Sequence, residues 1–219
     1  MNWIEPKRLA PGMTIGIMAP ASASDEDLYR IEEICKAKGY KVLVGESASR
    51  KGLYGGTPEE QAAEFQYMMT TAPCDAVLAL RGGYGTMRYL ERLDYKAIRK
   101  YRKAFIGYSD CTALHMAINR YSRLITYHGP MGVDFKAERK ADIDALFNVL
   151  EGKLKVIEPL PEPPRGAIGT ELGEGIFRGG NMTILSVLSG TPYFLEDESW
   201  EDTLLFIEDV GEAPYKLDR

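Results

Sequence analysis

Ala104-Phe105-Ile106-Gly107-Tyr108-Ser109-Asp110 is the stretch on which the reading of this 219-residue chain turns. The apolar run Ala104 to Tyr108 has no polar alternation, which suits a strand buried on both faces and hence a parallel sheet. A helical pattern starts at Asp110 and continues to about Tyr121. A strand that passes straight into a helix is the setting of a nucleophile elbow, where a tight turn lifts a hydroxyl above the sheet. The first turn of the helix would then offer unpaired backbone N–H groups to a carbonyl developing negative charge. The usual elbow has glycine two residues after the serine, and Cys111 stands there. The plainer alternative is that Ser109 caps the helix, and the local residues leave both open.

The same alternation extends outward. On the amino-terminal side, Met13 to Ala19 is an apolar run closed by Pro20. Ser24 is positioned to cap a helix that places Leu28, Ile31, Ile34 and Cys35 on one face and stops at Gly39. Tyr40 to Val44 reads as a second strand. Thr57, Pro58 and Glu60 form a capping box with proline at the first helical position, so a helix runs from Pro58 to about Thr70. Asp75 to Leu80 is a third strand and Leu124 to Tyr127 a fifth. Strand, helix, strand repeated in this way implies an α/β fold, a Rossmann-like parallel sheet flanked by helices. Ligands in such sheets bind beyond the carboxyl ends of the strands. The informative loops are those after Ala19, Leu80, Tyr108 and Tyr127.

Composition changes at Glu158 to Arg165, where four of eight residues are proline, which reads as a stiff extended linker. The expected division is therefore a domain over residues 1–157, a linker over 158–170, and the start of a second, mixed α/β domain over 171–219. In the last part, Gly175 to Arg178 and Asp202 to Glu208 read as strands and Asn181 to Leu188 as a short helix. So few residues make a poor independent core. Exposed apolar surface is expected there, with self-association, a homodimer or partial disorder as its consequence.

Several function classes are disfavoured. A net charge of −5 argues against a nucleic-acid partner. The densest basic stretch, Arg99, Lys100, Arg102 and Lys103, reads as a solvated helix end. No apolar run approaches the roughly 18 residues of a membrane span, and Met1 to Pro11 is not a secretory signal. Three scattered cysteines fit a reducing compartment, so the cytoplasm is expected. No CxxC or HExxH spacing supports a metal, and no cofactor is expected.

Four other features are candidates for chemistry. Arg81-Gly82-Gly83-Tyr84-Gly85 follows a strand. It is readable as an anion or oxyanion cradle, as a weakly matching dinucleotide loop, or as a plain tight turn. Glu208 shares a strand face with Leu204 and Phe206 and needs a partner there; a histidine is one possibility, an ordinary rim position another. His115 lies six residues past Ser109, roughly 9 Å along the same helix and off its starting face, so it is a poor base. His128, before Gly129-Pro130, sits at the functional rim of the sheet.

Together these segments resemble the LD-carboxypeptidase family of serine peptidases, which includes microcin-immunity peptidases. The resemblance rests on seven stretches in order: Pro11 to Ala21, Arg81 to Gly85, Gly107 to Leu114, Tyr127 to Met131, Gly179-Gly180-Asn181, Gly190 to Tyr193, and Leu205 to Val210. It implies that Ser109 is the nucleophile, Glu208 the triad carboxylate, and Gly82, Gly83 and the Asp110 amide the oxyanion region. It implies a murein-derived peptide substrate, cut at an L,D bond to release terminal D-alanine without a cofactor. Such work belongs to cytoplasmic recycling of wall fragments. The family's catalytic histidine lies well downstream of the carboxylate motif, whereas this sequence ends eleven residues past Glu208. The chain as written is therefore expected to lack useful peptidase activity. The alternatives are a microcin-immunity type peptidase, a catalytically dead peptide-binding module, and a nucleotide-binding α/β protein.

Overall fold

The computed structural model describes residues 2–154, 173–194 and 203–218. The proline-rich stretch at 158–170 and the Asp202 start of the last expected strand lie outside the described residues.

Five parallel strands form the main sheet: β1 (Thr14–Met18), β2 (Lys41–Val44), β3 (Ala76–Ala79), β4 (Ala104–Gly107) and β5 (Tyr127–His128), in the order β2-β1-β3-β4-β5. The connecting helices are α1 (Leu28–Ala37), α2 (Pro58–Met69), α3 (Tyr95–Tyr101) and α4 (Thr112–Ser122), and α5 (Lys140–Leu150) follows β5. Successive strand residues face opposite sides. Phe105 joins a cluster with Phe65, Met69 and Leu114, while Ile106 joins Ile31, Leu78 and Phe147. Both faces of the central strands are thus covered, which is why these strands read as unbroken apolar runs. The order reverses between β1 and β3, so their carboxyl ends flank the crevice where such sheets bind ligands.

The capping box at Thr57 and Glu60 is present. Ser24 does not cap α1. Its hydroxyl accepts from Glu26 N–H, and Asp27 caps the helix by accepting from Arg30 N–H. Leu124 falls outside β5 and instead bridges to Ile4, bringing the amino-terminal segment beside the sheet. The basic stretch is only partly solvated, because Lys103 is buried. Its ammonium donates to the carbonyls of Met68, in the last turn of α2, and of Ala72, just past it, each at 2.8 Å. Burial lowers its pKa.

A second, two-stranded parallel ladder joins β6 (Ile176–Asn181) to β7 (Thr203–Glu208), with α6 (Met182–Leu188) between them in sequence and α7 (Pro214–Leu217) after them. The ladder docks on the start of α4. Asn181 N–H donates to Thr112 Oγ1 at 3.0 Å. Gly180 has φ +144°, and a Cβ there would sit 2.5 Å from that same oxygen. Asn181 then caps α6 by accepting from Ile184 N–H. Both faces of the ladder leave apolar side chains open: Phe177, on the face of Leu204 and Phe206, and Leu205 and Ile207, on the face turned toward α4 and α6, are all more than half exposed.

Candidate active site

β4 ends at Gly107, Tyr108 is still extended, and Ser109 turns the chain into a short 3-10 turn that leads to α4. Ser109 has φ +59°. For a residue with a Cβ this left-handed conformation costs about 1–3 kcal/mol, a strain that concentrates at functional sites. Neither the 3-10 turn nor α4 is capped by a side chain, so Ser109 Oγ is not spent on the helix. Glycine is required before the serine rather than after it. A Cβ at Gly107 would stand 2.9 Å from Cys111 Sγ and 3.1 Å from Ala79 Cβ. Cys111 occupies the room that the missing side chain leaves.

The loop after β3 lies directly against the serine. A Cβ on Gly82 would meet Ser109 Cβ at 2.9 Å and Ser109 Oγ at 3.0 Å. Gly83 has φ +108°, and its N–H donates to none of the described residues. Asp110 is in the first turn, where a backbone N–H has no intrahelical acceptor. The residue is 2% exposed, and its carboxylate accepts from Thr86 N–H at 2.9 Å, while Thr86 Oγ1 donates to Asp110 O at 2.8 Å. Burial raises the Asp110 pKa, and the amides of Thr86 and Gly85 pull it back.

A cleft of about 400 Å³ opens at this corner, lined by Gly83, Tyr84, Ser109, Asn181, Asp209 and Glu212 among others. The ladder thus supplies its far wall. Glu208 is the last residue of β7, paired with Asn181. Its Oε1 is buried and has no hydrogen-bond partner among the described residues. The Tyr108 phenol is held above its usual pKa by burial, by Asp134 and, to a smaller extent, by Glu208. The corner therefore brings together Ser109, Gly82, Gly83 and Asp110; Glu208 does not line this cleft, although its neighbour Asp209 and its ladder partner Asn181 do.

Neither histidine touches Ser109 by any recorded hydrogen bond. His115 is buried, its Nε2 is 2.8 Å from Gly107 O, and burial lowers its pKa to about 4. His128 packs its ring against Tyr108, His115 and Phe206. Both line a different cavity of about 490 Å³ beside β5 and α5, which does not include Ser109. Among the described residues no cluster of three or more potential ligands could hold a metal, and no helix is long and apolar enough to cross a membrane. Ser22 and Thr86, which hold the glycine loop, were missed by sequence reasoning.

A strained serine at a strand-to-helix corner, set against a glycine loop at the carboxyl edge of a parallel sheet, is the architecture of a serine hydrolase. Comparison with known proteins narrows the class. The family model for the LD-carboxypeptidase N-terminal domain matches residues 15–129, and that for the C-terminal domain matches residues 174–219. A probable murein peptide carboxypeptidase of Bacillus subtilis is 36% identical, over 98% of this chain and 68% of its own length. Among solved structures, muramoyltetrapeptide carboxypeptidase from Oxalobacter formigenes superposes with a TM-score of 0.77 at 28% identity, covering 94% of this chain and 68% of the other. The microcin C7 self-immunity protein MccF superposes with a TM-score of 0.85 at 25% identity, covering 97% and 73%. The chain belongs to the LD-carboxypeptidase family of serine peptidases.

Proposed function

We propose that this site cleaves the L,D bond of murein-derived peptides and releases terminal D-alanine in the cytoplasm. Ser109 attacks the scissile carbonyl. The amides of Gly83 and Asp110, with Gly82 leaving room for the tetrahedral centre, hold the oxyanion. Glu208 orients an imidazole and stabilises its protonated form. The observation that carries this reading is the left-handed Ser109, held against a loop whose Gly83 N–H is free of the described residues. The orphaned Glu208 oxygen supports the same assignment, since a buried carboxylate oxygen calls for a donor such as an imidazole N–H.

The imidazole is not supplied by His115, whose Nε2 is engaged by Gly107 O, nor is it assigned to His128. The 219-residue polypeptide is therefore expected to release D-alanine from an L,D-tetrapeptide at a rate lower by about 10⁴–10⁶ than a complete triad. If the reading frame that carries this sequence supplies such an imidazole, its polypeptide is expected to release D-alanine readily. Chiral amino-acid analysis of both reactions is the test. Rapid release by the 219 residues sinks the imidazole assignment, and no release by the complete reading frame sinks the carboxypeptidase reading.

The likeness to MccF, including its complex with glutamyl sulfamoyl guanosine at a TM-score of 0.85, supports a second reading. In that case the substrate carries an acidic aminoacyl group on a sulfamoyl nucleoside. Preference for that compound over the tetrapeptide would select it.

A further inference from the structure

The glycine loop is held from two sides by side chains outside the proposed triad. In front, the segment after β1 reaches across the strand-order reversal. Tyr84 N–H donates to Ser22 Oγ at 3.1 Å, and Ser22 N–H donates to Gly82 O at 3.3 Å. The fit is steric as well, because a Cβ on Gly83 would collide with Ser22 Oγ and lie 2.6 Å from Ser22 Cβ. Behind, the buried Asp110 carboxylate accepts from Thr86 N–H, and Thr86 returns its hydroxyl to the Asp110 carbonyl. The glycine-rich residues Gly82 to Gly85 thus run between two fixed points. One stands at the end of β1 and the other in the first turn after the serine.

We propose that Ser22 and the Asp110 carboxylate are positioning residues, which clamp the Gly82–Gly85 loop so that the Gly83 N–H is already aimed at the oxyanion before the carbonyl is attacked. The inference rests on the assignment of Ser109 as nucleophile. A glycine loop free to turn would have to be ordered during the reaction, and preorganised donors act because that reorganisation is avoided. Ser22 touches no reacting atom in this scheme. Its loss should therefore be felt in the transition state and not in ground-state binding.

The test uses the polypeptide of the complete reading frame and three readouts: kcat and KM on an L,D-tetrapeptide, affinity for the matching peptide aldehyde, and affinity for the tripeptide product. Ser22→Ala is expected to lower kcat by about 30-fold, less than the 10²–10³ seen when an oxyanion donor itself is removed. KM and product affinity should stay within about 2-fold, while aldehyde affinity falls in step with kcat/KM. Ser22→Thr, which keeps the hydroxyl, should recover most of the rate. Asp110→Asn should act in the same direction, and the double variant should lose less than the product of the single losses, because both hold one loop. A merely structural role would weaken product and aldehyde alike and lower the melting temperature in proportion. That outcome overturns the proposal, as does an unchanged kcat in Ser22→Ala beside an inactive Ser109→Ala. Turnover that survives Ser109→Ala brings down the nucleophile assignment and the clamp with it.

Discussion

The main sheet and the β6–β7 ladder are both parallel, yet they are finished to different degrees. Each central strand of the sheet has helices on both faces, and Phe105, Ile106, Val77 and Leu78 are buried. The ladder has two strands, touches α4 and α6 on one side, and leaves Phe177 on one face and Leu205 and Ile207 on the other more than half exposed. The strained serine stands on the first and the orphaned carboxylate on the second. A conformation such as that of Ser109 persists only where its surroundings over-determine it, and the sheet provides that. Glu208 sits in the less constrained unit, so the distance between nucleophile and carboxylate depends on how the ladder is held at Thr112.

The strongest way to break this comparison is kinetic. In the polypeptide of the complete reading frame, Ser109→Ala should remove about 10⁶ of the rate and Glu208→Gln about 10⁴, by analogy with serine-protease triads. Equal activity in Glu208→Gln and the unsubstituted protein would detach the ladder from the chemistry. A stability measurement follows. Ile106→Ala should destabilise by about 2–5 kcal/mol in urea, since it empties a site closed on all sides. Leu205→Ala, at a position more than half exposed, should change stability by less than about 0.5 kcal/mol. A large loss at Leu205 would mean that this side chain is covered in solution.

The smallest expected effect is one of pH. His115 is held neutral by burial, with its pKa lowered to about 4 from an ordinary 6.5. His128 faces it from β5, while Phe105 and the Gly107 carbonyl face it from β4. Below pH 6.5 the unfolded chain binds a proton that the folded chain refuses. Stability is thus fully present above 6.5 and falls as the pH drops towards 4, by at most about 3 kcal/mol. In His115→Gln the slope of unfolding free energy between pH 6.5 and 4 should flatten. An unchanged slope would mean that other groups carry the acid sensitivity.

The sheet was legible in the sequence because strands covered on both faces appear as apolar runs, and Thr57-Pro58-Glu60 marks a helix start by a purely local bond pattern. The elbow was legible as a strand meeting a helix at Ser109. Local pattern could not choose between cap and nucleophile, because that depends on a backbone angle. Ser22 left no signal at all. Its partner, Tyr84, is 62 positions away, and a contact between two irregular loops has no periodicity. Lys103 misled for a related reason. A basic residue after a helix is usually solvated, and only the tertiary fold brings two open carbonyls of the α2 end to its ammonium. Asp27 outranked Ser24 as the cap of α1 because the helix begins three residues later than the first hydroxyl suggests.

The exchange of volume between positions 107 and 111 has an evolutionary consequence. The turn around Ser109 has space for one side chain at that spot, and here the thiol of Cys111 takes it while Gly107 yields. Among relatives that keep this corner, the two positions should drift as a pair. A bulkier residue at 111 is permitted only beside a bare backbone at 107, and a side chain at 107 only when 111 has shrunk.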